Sequence, residues 1–255
     1  MTTPVKSWLE RERRLLRLRL DRPKANILDA AMNAALENEL ARHADHAALR
    51  GILIDASGGH FSFGASIEEH MPDQCAAMLD GFHRLVLRIF VSEVPVLMVV
   101  RGQCLGGGLE VVSAGHLIFA APDAKFGQPE IQIGVFAPAA SCLLPERAPL
   151  AFAEDMLLSG RAIGAEEALR IGLVNQVADD PEVAALAYFD KHLAPKSARS
   201  LRYATRAARQ GAVERVARKL KQVERMYLDE LMSTADAVEG LSAFIEKRPA
   251  RWKDA

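Results

Sequence analysis

The feature that most constrains this chain is a glycine-rich stretch, Arg101-Gly-Gln-Cys-Leu-Gly-Gly-Gly-Leu-Glu110, with an echo further on, Phe126-Gly-Gln-Pro-Glu130. The apolar run from Pro95 to Val100 ahead of it reads as a buried strand, and Leu109 to Gly115 after it reads as a short helix. Three glycines therefore fall at a strand-to-helix turn. Glycine lets backbone approach a ligand closely, and the free N–H groups of a helix's first turn point at negative charge. On spacing alone a phosphate fits this turn as well as a developing oxyanion. Two carboxylates, Glu110 and Glu130, each attached to a glycine-containing segment in apolar surroundings, are of the kind that share acid and base work.

The rest of the chain alternates strand, helix and strand over its first two-thirds. Arg14 to Leu20 alternates charge with leucine, the period of a half-buried strand. Asp29 is placed to cap an alanine-rich helix ending near Arg42. Gly51 to Ala56 reads as a buried strand, Ser57 to Ser66 as a loop, and Ile67 to Val91 as helix broken at Pro72 and Gly81. Leu117 to Ala121 reads as a further strand. This alternation predicts a layered α/β core. After Asn175 helical patterns succeed one another: Pro181 to Leu193, Ser197 to Gln210, Ala212 to Met232, and Thr234 to Lys247, with Gly211 and Pro249 as stop signals.

Composition narrows the function by exclusion. The 255 residues carry a formal charge of -1, which suggests neither nucleic acid nor an anionic membrane as partner. No apolar run reaches the length of a membrane span, and the start lacks a signal pattern, so a cytoplasmic location is expected. Cys75, Cys104 and Cys142 have neither disulfide-framework nor metal-ligand spacing, and no metal site is expected. His60, His70, His83 and His116 lack a partnered nucleophile and read as surface or internally satisfied residues. No Gly-x-Ser-x-Gly elbow surrounds Ser113 or Ser141, and Gly106-Gly-Gly is not a spaced dinucleotide fingerprint or a P-loop.

Taken together, Pro23-Lys-Ala-Asn, Phe61-Ser-Phe-Gly-Ala, Gly102 to Glu110, Lys125 to Glu130 and Leu158 to Asn175 resemble, in order and spacing, the enoyl-CoA hydratase (crotonase) superfamily over nearly the whole chain. The resemblance implies a spiral of repeated ββα units spanning residues 1–195 and holding the acyl-CoA site. A helical trimerisation region would follow at 196–255, giving a homotrimer or homohexamer. It implies an oxyanion hole from the N–H groups of Ala65 and Gly107, with Glu110 and Glu130 as the catalytic pair of the hydrating members. Coenzyme A, part of the substrate rather than a separate cofactor, would lie along Lys24, Ala25, Ile27, Gly64, Ser66 and Ile67. Lys247, Arg248 or Arg251 could reach its phosphates.

One segment departs from the general hydratase pattern. Where many members carry Pro-Gly-Ala-Gly-Gly, this chain reads Gly134-Val-Phe-Ala-Pro-Ala-Ala-Ser141, so Phe136 and Pro138 would reshape the acyl pocket. This run, with Ser66 where aspartate is common, resembles the branch of the family that hydrates cyclic conjugated dienoyl-CoA thioesters in anaerobic benzoyl-CoA degradation. The alternatives are a general 2-enoyl-CoA hydratase or isomerase and, in another class, a non-catalytic thioester- or RNA-binding member of the fold.

Overall fold

A computed structural model describes residues 3–255. Its main sheet has six strands in the order β1-β2-β3-β4-β6-β9: β1 (Val5–Glu10), β2 (Leu15–Leu20), β3 (Gly51–Ala56), β4 (Val96–Val100), β6 (Leu117–Ala120) and β9 (Gln176–Val177). Only β1 runs antiparallel to its neighbour. Strands β3 and β4 are buried along almost their whole length, as parallel strands covered on both faces must be. A second sheet, β5-β7-β8, is made of the short strands β5 (Gln103–Leu105), β7 (Lys125–Gly127) and β8 (Ala162–Gly164).

The repeating unit is one strand in the main sheet, one short segment beside the second sheet, then a helix. Strand β3 leads to the 61–65 loop, which bridges to β5 at Ser62, and then to α2 (Cys75–Phe90). Strands β4 and β5 lead to α3 (Gly107–Ala114), and β6 and β7 lead to α4 (Pro138–Leu143). This is the expected spiral of ββα units. Earlier in the chain lies α1 (Ala30–Arg42), whose first turn is capped by Asp29 accepting from Met32 N–H, as expected from the sequence. Helices α5 (Leu150–Ser159) and α6 (Ala165–Arg170) flank β8, and α7 (Pro181–Tyr188) covers the other face of the main sheet, where Ala185 and Phe189 pack on Leu53, Leu97, Val99 and Phe119. The chain then becomes entirely helical, with α8 (Ala198–Arg225), a wider π-helical turn at Met226–Glu230, and α9 (Ala235–Ile245).

Four readings of the sequence are corrected. Gly81 does not break α2, and Gly211 does not end a helix; α8 runs through it. Each helix is held by its apolar face, through Phe82, Leu85 and Ile89 in α2 and Val216, Leu220 and Val223 in α8, and that packing outweighs the roughly 1 kcal/mol propensity penalty of one glycine. The alternation in β2 does not leave its arginines in water: Arg17 is only 2% exposed. It lies over Trp8 and shares Asp55 and Glu182 with Arg19, so paired carboxylates replace hydration. The glycine turn does not join β4 directly to a helix, because Gln103–Leu105 first pairs with β7.

At Gly81 an added methyl has open space, its nearest neighbour being the flexible end of Arg84 at 3.9 Å. Replacing Gly81 by Ala is therefore expected to raise unfolding free energy by about 1 kcal/mol, read from the denaturant midpoint at unchanged slope.

Candidate active site

Two backbone segments are sewn together edge to edge. Ser62 donates its N–H to Gln103 O and accepts at its own carbonyl from Leu105 N, while its hydroxyl donates to Asn26 O and accepts from Gly64 N. This fixes the 62–65 loop against β5 and the start of α3. Gly64 (φ +112) and Gly106 (φ +50) adopt the left-handed conformations that the close turn requires. A Cβ built on Gly107 would lie 3.1 Å from Ala65 N, so the two backbones meet where a side chain would part them. Among the described residues, neither the Ala65 N–H nor the Gly107 N–H is given to another group. Gly107 opens α3, so its donor also carries the positive end of the helix dipole.

Both glutamates line the same cavity as this pair of donors. Glu110, in the first turn of α3, is 5% exposed, and its Oε1 accepts from Ala140 N at 2.7 Å, at the start of α4. Burial raises its carboxyl above the usual range, while the Ala140 and Ala139 N–H groups and His83 favour the ionised form. Glu130 follows β7 in a short 3₁₀ turn, and its Oε1 lies 2.6 Å from where a Gly106 Cβ would sit. Oriented as the surrounding donors and acceptors require, the buried Gln128 amide donates to Glu130 Oε1 and Oε2 at 3.1 and 3.0 Å. Burial first, then the charge of Glu110, pushes the Glu130 carboxyl up to about 8. Burial raises both carboxyls, but only Glu110 is offset by the Ala140 and Ala139 N–H groups, so a proton held by the pair is more stable on Glu130.

The inner cavity, about 60 Å³, is apolar apart from these groups and the histidines His70 and His83. Phe136 and Pro138 both line it, and Phe136 packs edge-on against Tyr227 with centroids 5.3 Å apart. It adjoins an outer cleft of about 740 Å³, the two sharing Phe63, Ala65, Ile67, Pro129 and Ile133 as walls. Of the residues expected along coenzyme A, Gly64 lines the inner cavity, Ile27 and Ser66 the outer cleft, and Ile67 both. Lys24 and Ala25 line neither; Lys24 is exposed, and the Ala25 carbonyl accepts from Phe63 N. Arg248 reaches the outer cleft but is ion-paired to Glu239 and Glu246, and neither Lys247 nor Arg251 lines it.

A family model described as enoyl-CoA hydratase/isomerase matches residues 10–255. The chain belongs to the enoyl-CoA hydratase/isomerase family. It is 62% identical, over 99% of its length and 98% of the relative's, to cyclohexa-1,5-dienecarbonyl-CoA hydratase of Thauera aromatica. Carnitinyl-CoA dehydratase of Salmonella arizonae is 33% identical over 96% of this chain and 97% of that one. Among solved structures, an enoyl-CoA hydratase/isomerase from Pseudoalteromonas atlantica superposes with a TM-score of 0.85 at 29% identity, covering 98% of this chain and 99% of that one. An enoyl-CoA hydratase from Mycobacterium avium gives 0.87 at 25% identity, covering 99% and 100%. The fold and the family resemblance read from the motifs are thereby borne out.

Sequence reasoning missed the two cavity histidines. His60 and His116 are satisfied as expected at one nitrogen each, accepting from Gln103 N and Val96 N. His70 donates to Ser66 O, and His83 is bound to Glu224; yet both residues line the cavity. The signal for His83 was present in α2, where it falls in register with Leu79, Phe82 and Val86 on an otherwise apolar stripe. All three cysteines are free, in keeping with their spacing, and all three are buried.

A methyl at Gly107 would press on Ala65 N and Cβ and on Phe82. Gly107→Ala is expected to cost about 10²–10³ in kcat/KM, the size of losing one oxyanion donor. Steady-state kinetics within threefold of wild type would remove this N–H from the site.

Proposed function

We propose that this protein is a hydro-lyase that adds water to a cyclic conjugated dienoyl-CoA, converting cyclohexa-1,5-diene-1-carbonyl-CoA to 6-hydroxycyclohex-1-ene-1-carbonyl-CoA. The observation that carries the reading is the 62% identity, end to end, with the Thauera hydratase of that substrate. The site geometry supports it. A flat ring needs a narrow apolar slot, and Phe136, braced by Tyr227, and Pro138 furnish one wall.

In this reading the thioester oxygen accepts from Ala65 N–H and Gly107 N–H. Glu110, ionised, takes a proton from water as the water oxygen bonds to the carbon β to the thioester. The electron pair moves into the thioester, and the enolate oxygen is held by the two donors, where preorganised N–H groups act most strongly. Protonated Glu130 returns a proton to the far end of the diene, leaving a double bond conjugated with the thioester. Passing the proton from Glu110 back to Glu130 resets the pair. No atom changes its oxidation state through an external carrier, so coenzyme A enters only as part of the substrate.

The outer cleft is the proposed seat of the coenzyme A chain, along Ile27, Gly64, Ser66 and Ile67. Residues 1–195 are proposed as the spiral core and 196–255 as a helical region that builds a homotrimer or a hexamer of two trimers. The exposed Phe244 on α9 supports a role for that region in contacts. Among the described residues no helix is long and apolar enough to cross a membrane, and a cytoplasmic enzyme is proposed.

Purified protein given dienoyl-CoA and crotonyl-CoA separately is expected to hydrate the ring substrate, read by mass as a gain of one water. Hydration of crotonyl-CoA alone would replace this reading with that of a general enoyl-CoA hydratase. Because the acid form of Glu130 is the working form, kcat/KM is expected to fall as pH rises through about 8. Glu130→Gln and Glu110→Gln are each expected to lower kcat by at least 100-fold with thioester binding retained. The raised Glu130 carboxyl also makes folding less favourable as pH climbs from the ordinary carboxylate range through about 8, since the folded site must then ionise. Glu130→Gln is expected to abolish that part of the alkaline stability loss, read from unfolding curves at pH 6 and pH 9.

A further inference from the structure

The segment after α9 takes no part in the steps above, yet it is folded back onto that helix. Arg251 N donates to Glu239 Oε1 at 2.9 Å, Lys253 N and Asp254 N donate to the two carboxylate oxygens of Asp236 at 2.7 Å each, and Ala235 N donates to Ala255 O at 3.0 Å. Hydrogen bonds to a carboxylate are about twice as strong as neutral ones, so the segment is fixed to the first turns of α9. It lays the Trp252 indole over two glycines. Ring atoms of Trp252 lie 3.0 and 3.2 Å from where a Gly134 Cβ would sit, and 3.0 Å from where a Gly240 Cβ would sit. Gly240 is inside α9, where glycine costs roughly 1 kcal/mol relative to alanine. A side chain there would overlap the Ile133 carbonyl as well as the indole, so helix, indole and the 129–134 segment meet where side chains are absent.

That segment carries Glu130. Gly134 ends the Pro129–Ile133 turn in the left-handed conformation (φ +76), its N–H goes to Ile131 O, and the next N–H, of Val135, goes to Glu130 O. A single turn of 3₁₀ helix has little strength of its own, so its place is set by what grips it from outside. One grip is Gln132 Nε2, which donates to Gly160 O at 3.0 Å just beyond α5. The other is the contact of Gly134 and Ile133 with Trp252 and α9.

We propose that Trp252 is a positioning residue for Glu130, pinning Gly134 against α9 and so holding the Pro129–Ile133 turn at the depth from which the Glu130 carboxyl reaches the substrate. Trp252 lines neither the inner cavity nor the outer cleft, so it acts through the turn and not on the thioester. Its indole is 47% exposed, which makes its burial a smaller contribution to folding than that of a core tryptophan. Proton transfer is steep in geometry: a misplacement of about 1 Å can cost about 10²-fold, so a loosened turn lowers kcat more than it weakens binding.

This inference rests on the reading of Glu130 as a working carboxyl. The test is kcat and KM for dienoyl-CoA in wild type, Trp252→Ala, Trp252→Phe, Glu130→Gln and the double variant Trp252→Ala/Glu130→Gln, at high enzyme concentration for the slow variants and with folding checked by circular dichroism. Trp252→Ala is expected to lower kcat about tenfold while KM changes by less than about threefold. Phenylalanine keeps an aromatic plate over the two glycines and is expected to recover most of the loss. In the Glu130→Gln background the alanine substitution is expected to cost nothing further, because a residue acting through Glu130 has nothing left to position. Should Trp252→Ala fail to fold, Asp236→Ala, which releases the N–H groups of Lys253 and Asp254, takes its place in the same cycle with the same expected direction. An unchanged kcat, or an equal loss with and without the Glu130 carboxyl, overturns the positioning role alone. Near-normal activity in Glu130→Gln overturns the reading of Glu130 and the positioning role with it.

Discussion

The structure depends on one close approach, that of the 62–65 loop to the start of α3. Hydrogen bonds through Ser62 draw the two segments together, and the missing side chains of Gly64, Gly106 and Gly107 let them meet. Every feature of the site follows from that contact. It brings the N–H groups of Ala65 and Gly107 to one place and leaves both without an acceptor among the described residues. It also leaves room for Glu130 where a Gly106 side chain would stand, and it sets the direction of α3 so that Glu110 enters the same cavity. The spiral of ββα units is the scaffold that makes such an approach possible, because successive turns stack their strand-to-helix junctions side by side.

Closing the site has an electrostatic consequence. Two carboxylates drawn out of water and next to each other do not both remain charged. The chain resolves this asymmetrically, giving Glu110 the N–H groups at the start of α4 and leaving Glu130 with the Gln128 amide. One pair of identical side chains thereby acquires two different proton affinities, which is what the proposed acid and base roles require. In the proposed reading the same burial strengthens the N–H donors and separates the two proton affinities, and both effects have a single cause, the exclusion of solvent.

Much of this was legible in the sequence, because it rests on local signals. Asp29 before an alanine-rich run is an N-cap that the structure reproduces, and the buried strands Gly51–Ala56 and Val96–Val100 announce themselves by apolar runs, interrupted only at Asp55. Strand Val5–Glu10 was not legible. Its hairpin turn places Arg11, Glu12 and Arg13 at φ 55 to 65, a conformation usually marked by glycine or asparagine, so no turn signal separated it from β2. Glycine misled in the opposite sense at positions 81 and 211, where tertiary packing overrides a weak local preference. The pairing of His83 with Glu224 joins residues far apart in the chain and belongs to tertiary structure, beyond any motif. The carboxylates and the glycine turn were found because their spacing is local; the histidine that lines the same cavity was not.

The central claim is that the Ala65 and Gly107 N–H groups receive the thioester oxygen while the two glutamates serve the water. A crystal structure with the 6-hydroxycyclohex-1-ene-1-carbonyl-CoA product bound tests it most directly. The account predicts the thioester oxygen about 2.7–3.1 Å from both nitrogens, with the ring hydroxyl within hydrogen-bond reach of Glu110 or Glu130. A thioester oxygen held elsewhere, or a hydroxyl remote from both carboxylates, would contradict it.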